Sequence, residues 1–523
     1  MLEVRHRTAV LARVLQSVDP TARIDLPTSL LPLRPSSITP LKHRHSFLLY
    51  ALLAFAAVAA VAPTAATDRA SAYGVPMQTG IASYPNGETV ITRSQGLGVQ
   101  FLKLAVSWSA VAPINPPPGF EPANPEDPSY RWKHLDWVIS DAISRRLTPV
   151  IDILEPPTWA KSPPGSSQTQ PDLNAFAMFV RAIASRYDGT HFGLPRVSYW
   201  EAWNEPNVSL FLEPQIEGNT IVSVDTYRTM LNNFASIVHG IHSDNVVIGG
   251  ALFPNGIRRP GITAIAPLDF TRRLFCISAG SKPHLVCNTK VNVDVWSVHP
   301  YTSGGPSTLP ANRDNIWIAD LSSLTSAVQA AQRLGSLAST RPAQVWVSEF
   351  SWDSNPPDPL GVPVGLERRW VAETLYRAWS AKISMFTWFR LSDDPQNISQ
   401  FQSGLYFSCP GGGVSCDSPK PAAAAFRFPF VAYTTQRRRL LVWGRTPAGV
   451  RSRVRIQWLE KNRWQTFTTL STDSNGIFTA RPLLPRGASS KSAKLRAVRS
   501  GGEASPAFSL ARPRDIAVTP FGS

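Results

Sequence analysis

Residues 197–207 read Val-Ser-Tyr-Trp-Glu-Ala-Trp-Asn-Glu-Pro-Asn. An aromatic, mostly apolar run that gives way to polar residues and a proline is a strand of about seven residues, 197–203, entering a loop. Downstream, Tyr227, Met230, Leu231, Phe234, Ile237, Val238 and Ile241 recur three and four apart, the stripe of a helix with one buried face. The unit repeats outward in both directions. Strands are expected at 73–77, 100–106 and 148–154 before it, and at 246–251, 293–298, 345–349 and 383–388 after it. Leu135, Val138, Ile139, Ala142 and Ile143 make another helical stripe, as do Phe176, Phe179, Val180, Ile183 and Ala184. Eight strand-then-helix units predict an α/β fold closed into a (β/α)8 TIM barrel over residues 73–430. A doubly wound open sheet is the alternative, yet no GxGxxG follows a strand and no GxxxxGK[ST] occurs.

In such a barrel the chemistry sits where strands end. The fourth strand ends at Asn204 and Glu205, and the seventh at Ser348, Glu349, Phe350, Ser351 and Trp352. Two carboxyls at one mouth are what glycoside hydrolysis requires: an acid for the leaving oxygen and a carboxylate for the anomeric carbon. Trp203-Asn204-Glu205-Pro206-Asn207 together with Ser348-Glu349 resembles the retaining glycoside hydrolases of the (β/α)8 clan, families 5 and 39 above all. That resemblance implies Glu205 as acid/base and Glu349 as nucleophile, with Asn204 on a sugar hydroxyl. It also implies substrate contacts for His299 and Tyr301 after strand six and for Trp388, a sugar floor, on strand eight. Lys103, a candidate substrate contact, stands where family 5 usually has arginine, and strand three lacks that family's histidine. Trp108, Trp159 and Trp352 follow strands two, three and seven as candidate sugar-stacking rings. Glu201, on the inward face, is expected to pair with a cation such as Lys103, because an unpaired charge there is costly.

The chain has 523 residues, 52 Lys+Arg against 36 Asp+Glu, and a formal net charge of +16. Residues 73–430 are nearly neutral, while 431–523 carry a net +13. This distribution excludes a nucleic-acid role for the barrel and points to an uncharged ligand. Residues 47–62 form an apolar run behind Lys42-His43-Arg44-His45 and ahead of Ala70-Ser71-Ala72, the layout of a secretory signal at 46–72. An uncleaved anchor is the alternative, and 1–45 is an extension ahead of the signal that a downstream start would remove. Cys276 with Cys287 and Cys409 with Cys416 are expected to form loop-closing disulfides. Neither pair has the spacing of a zinc site. Beyond residue 431, short alternating runs near 439–444, 454–458, 464–467, 477–480 and 494–498 predict a small basic β-sandwich. The expectation is a secreted, monomeric O-glycosyl hydrolase on a carbohydrate substrate, with no metal or organic cofactor and no nucleic acid. Its basic module would meet an anionic cell-wall polymer. The rival reading is a non-catalytic carbohydrate-binding protein on a retired barrel.

Overall fold

The computed structural model describes residues 77–83, 88–166, 169–191, 193–394, 401–409, 416–514 and 516–518. The expected signal at 46–72 and the extension at 1–45 lie outside the described residues. Eight strands form a closed, all-parallel barrel: β1 Gln78–Ser83, β2 Phe101–Ser107, β3 Thr148–Leu154, β4 Tyr199–Ala202, β5 Val246–Leu252, β6 Val295–Val298, β7 Gln344–Val347 and β8 Met385–Phe389. β1 pairs with both β2 and β8, which closes the ring. The helices that follow them are α1 Glu88–Gly96, α2 Lys133–Ser144, α3 Leu173–Arg186, α4 Ser223–Ile241, α5 Pro267–Leu274, α6 Leu321–Leu334, α7 Val364–Ser380 and α8 Pro421–Arg427. The first strand corrects the sequence reading. It begins at Gln78, after the expected 73–77, of which 73–76 lie outside the described residues. Its sequence, QTGIAS, has one β-branched apolar residue, so its signal is weak.

The helical stripes face the barrel as their spacing demands. On α4, Tyr227, Met230, Leu231, Phe234 and Val238 are fully buried, and Asp172 caps α3 by accepting from the Ala175 N–H at 2.8 Å. Inside the barrel, Phe101, Val150, Val246, Ile248, Val295, Trp346 and Met385, with Tyr199 against them, make an apolar plug at the strands' N-terminal end. Burial of each such side chain contributes roughly 1.5–3 kcal/mol. Side chains alternate along a strand, so the residues two positions further on also point inward. Those are Lys103, Asp152, Glu201, Ser297, Ser348 and Thr387, and a polar layer therefore rests directly on an apolar one.

The bulge between β5 and β6 shapes the mouth. Gly250 has φ +99°, and a Cβ there would lie 2.4 Å from the Ser297 carbonyl oxygen, so only glycine fits. The register shift that follows lets the Ala251 carbonyl accept the Glu205 N–H at 3.1 Å. The Tyr227 hydroxyl accepts the Gly250 N–H at 2.9 Å and donates to the Ala202 carbonyl at 2.8 Å, tying α4 to β4 and β5 at this point.

After α8 the chain builds two antiparallel sheets from β9 Phe430–Thr434, β10 Leu440–Arg445, β11 Arg453–Glu460, β12 Arg463–Ser471, β13 Ile477–Ala480, β14 Lys494–Arg499 and β15 Phe508–Ser509. One sheet runs β9-β10-β13 and the other β12-β11-β14-β15. Trp443 of β10 packs against Tyr376 and Trp379 of α7, each 5.7 Å between ring centroids, and Arg445 donates to the Gln100 side chain at 2.9 Å. The barrel and the β module share a seam without a free linker. Cys276–Cys287 and Cys409–Cys416 are both disulfides. Among the described residues, no helix is long and apolar enough to cross a membrane.

Candidate active site

The polar layer is an ion cluster. Lys103 Nζ lies 2.7 Å from Glu201 Oε2 and 3.1 Å from Asp152 Oδ2, and all three side chains are buried. Burial disfavours the ammonium, yet Asp152 and Glu201 outweigh it and hold Lys103 above its ordinary range. Glu201 also accepts from the Ser297 hydroxyl at 2.7 Å. The pairing expected for Glu201 is therefore present. It corrects the expectation for Lys103 itself, which is 2% exposed and engaged by two carboxylates, leaving no face for a substrate.

Above this layer stand the two mouth glutamates. Glu205 sits in a turn with positive φ (44°), which follows Trp203 at φ 74°. Asn207 holds this turn by donating to the carbonyls of Phe253 and Ile265 and accepting the Phe253 N–H. Glu205 is 1% exposed, and its Oε1 lies 2.9 Å from His299 Nδ1. Its Oε2 is buried and has no hydrogen-bond partner among the described residues. Burial, then the charge of Glu349, pushes the Glu205 carboxyl well above the ordinary carboxylate range. Burial and Lys103 push His299 well below its usual value. Both shifts favour the uncharged forms of the two partners across this contact. Ser348, just past the end of β7, meets the far side of the ring, 3.2 Å from Nε2.

Glu349 is half-buried and accepts from the Tyr301 hydroxyl at 2.5 Å. Burial raises its carboxyl too, but Lys103 and the Tyr301 hydrogen bond oppose the shift. Burial and the charge of Glu349 keep Tyr301 protonated, so it remains a donor. The two carboxyls therefore feel one another while differing in support: one has a neutral histidine, the other a hydroxyl donor and a nearby ammonium. Pairs held apart in this way are suited to divided acid and base roles.

The structure brings Glu205, Glu349, His299 and Tyr301 into one site, with Asn204 beside Glu205 and 9% exposed. The tryptophans are corrections. Trp388 is 0% exposed, donates to the Ser403 carbonyl at 2.9 Å and packs against Phe350 and Phe426. Met385 belongs to the barrel plug, so alternation turns Thr387 and Phe389 inward and Trp388 outward, beneath α8. The inward ring at that strand end is Phe389, 7% exposed, which sequence reasoning missed. Trp108 is fully buried, stacked on Phe179 at 5.1 Å and edge-on to Trp159. Trp352 is fully buried, donates to the Thr302 carbonyl and packs on Phe350 and Trp370. Neither offers an exposed ring face to a sugar. Trp159, half-buried, donates to the Pro113 carbonyl at 2.8 Å. Ser348, Ser297 and Asp152 were also missed as site residues, though counting in twos from Trp346, Val295 and Val150 would have found them.

Neither a protein-family model nor a curated protein matches this chain. Among solved structures, a glucosidase from Croceicoccus marinus is 13% identical, with 79% of this chain and 93% of that one covered at a TM-score of 0.45. The β-glycosidase BGL167 is 13% identical over 68% and 96%, TM-score 0.44. A family 1 β-glucosidase from Thermotoga maritima is 14% identical over 64% and 84%, TM-score 0.43. At these values the likenesses carry no activity across to this chain. The chain has the closed eight-stranded (β/α)8 fold that its motif resemblance to glycoside hydrolases implies.

Proposed function

We propose that the chain is a secreted, monomeric retaining glycosidase that cleaves O-glycosidic bonds of an oligo- or polysaccharide. The observation that carries this reading is Glu205 Oε2: a buried carboxyl oxygen without a partner among the described residues, on an acid whose protonated form is favoured by burial and by the charge of Glu349. Glu349 attacks the anomeric carbon through its oxygen not held by Tyr301. Glu205 gives its proton to the departing glycosidic oxygen as the C–O bond breaks, leaving a glycosyl ester on Glu349. Glu205, now a carboxylate, takes a proton from water, whose oxygen displaces Glu349 and frees the sugar. Retention requires roughly 5–5.5 Å between the two carboxyls. His299 fixes the Glu205 rotamer without competing for its charge, and Asn204 is the donor for a neighbouring sugar hydroxyl. Two disulfides are consistent with an exported protein. The basic module, net +13, supports adhesion to an anionic polymer.

The test is hydrolysis across a panel of aryl glycosides and plant, fungal and bacterial polysaccharides, with the anomer of the first-formed product read by NMR. Turnover that gives the retained anomer and vanishes in Glu349→Ala supports the reading. An inverted product refutes the mechanism. Glycan binding without turnover across the panel refutes the enzyme.

A further inference from the structure

The outer face of the sheet β12-β11-β14-β15 can be read from its register. Val454 and Ile456 are buried inward, so Arg453 and Arg455 face out, and alternation puts Gln457 on their side of the sheet although it is only 8% exposed. Their partners Ser471, Thr469 and Thr466 on β12 and Arg496 and the buried Val498 on β14 share that face, as does Trp464 opposite Leu459. At its centre, three adjacent strands are linked side chain to side chain. Arg496 Nε donates to Gln457 Oε1 at 2.9 Å, and Gln457 Nε2 donates to Thr466 Oγ1 at 3.1 Å. The guanidinium of Arg496 also lies over the Trp464 ring, 4.3 Å from its centroid.

A guanidinium held beneath by a ring and laterally by an amide has lost most of its rotamer freedom. Its Nε is used, and among the described residues its two terminal nitrogens are not, a fork whose geometry matches a carboxylate. Among the described residues no acidic side chain pairs with Arg496, Arg453 or Arg455. Arg453 and Arg455 extend the positive charge along β11 at roughly 7 Å spacing, two residues of strand rise. Ordering an arginine on a solvent-facing sheet costs side-chain entropy that no folding contact on this face repays through an ion pair.

We infer that this sheet face binds a carboxylate-bearing polysaccharide, with Arg496 gripping a uronate carboxylate through its terminal nitrogens and Arg455 and Arg453 meeting further carboxylates along the polymer. The choice of a glycan over another polyanion rests on the proposed glycosidase reading. The charge complementarity does not depend on it.

Affinity electrophoresis of the full chain through gels containing polygalacturonate, hydroxyethylcellulose or inorganic polyphosphate tests this, with aryl-glycoside turnover measured on the same samples. Polygalacturonate should retard the chain, and hydroxyethylcellulose should not. Arg496→Ala should weaken the polygalacturonate interaction about tenfold or more, and Arg496→Lys should restore little of it. Arg455→Ala should weaken it less, while Arg439→Ala beside β10 should leave it intact. Thermal melting confirms that each variant is folded, and Arg455→Ala carries the test if Arg496→Ala is not. Equal retardation by polyphosphate, or polygalacturonate binding indifferent to both Arg496 and Arg455, overturns the inference. Binding that behaves as expected without any turnover would refute the glycosidase and leave this face standing. Turnover without binding would do the reverse.

Discussion

Tyr301→Phe removes one oxygen from the site and almost nothing else. The ring is 1% exposed and edge-packed with His299 and stacked on Phe350, contacts that phenylalanine keeps. What is lost is the 2.5 Å hydrogen bond from the hydroxyl to Glu349, together with the hydroxyl's contact with Ser351. A hydrogen bond to a charged group is worth roughly 1.5–3 kcal/mol. At about 1.4 kcal/mol per factor of ten, and if the bond matters fully to the reacting carboxylate, kcat/KM should fall roughly 10- to 150-fold. The pH profile gives the sharper readout. The bond favours the charged form of Glu349, so its loss raises the Glu349 pKa further above the ordinary range. Glu349 must be ionised to attack, and the acid limb of kcat/KM should therefore move to higher pH. The stability sign agrees: a carboxyl whose folded pKa is raised stabilises the fold fully below its unfolded pKa and loses that contribution as pH rises through the folded value. The variant should lose more of it than wild type near neutral pH. An acid limb that stays in place, or moves down, would refute the reasoning even if the rate fell.

Glu205→Gln should spare substrates with highly acidic leaving groups and cripple those with poor ones, a divergence read by comparing aryl glycosides of graded leaving-group pKa. In urea unfolding, Lys103→Met should cost about 3–5 kcal/mol by leaving Asp152 and Glu201 unpaired in the barrel. The double variant with Glu201→Gln should recover part of that loss. Trp388→Ala should cost about 3–5 kcal/mol of stability, whereas Phe389→Ala should act mainly on KM, a split visible by pairing melts with steady-state kinetics. Replacing Cys276 and Cys287 by serine should lower stability by roughly 2–3 kcal/mol while leaving turnover on small substrates intact.

The barrel was legible because its strands and helices have different periods, and α4 alone shows seven positions on one stripe. β1 was misplaced because Gly80 and its small neighbours are chosen for closeness to Phe101 and Thr387, a constraint exerted by strands distant in sequence. β9, FVAYT, was missed because only Phe428 and Pro429 separate it from the Ala-rich α8 and its five residues show little polar–apolar alternation. Glu205 and Glu349 were legible as carboxyls at strand ends, whereas His299 and Tyr301 entered as candidates through the family resemblance. The tryptophans misled because a large ring serves a core as well as a cleft, and only inward-outward parity distinguishes the two. Parity was available for Trp388, counting from Met385. It was not available for Trp108 and Trp352, which lie beyond the ends of β2 and β7, where alternation no longer applies.

The plug of Phe101, Val150, Val246, Ile248, Val295, Trp346 and Met385 closes the barrel from below. On the proposed glycosidase reading, Glu205, His299 and Glu349 consequently exchange protons with bulk water through the same mouth by which a sugar would enter. A bound substrate corks that opening, so the number of protons in the site is set when the complex forms. Ambient pH then acts on capture by the free enzyme more strongly than on the committed complex, and a change of pH should register in kcat/KM before it registers in kcat.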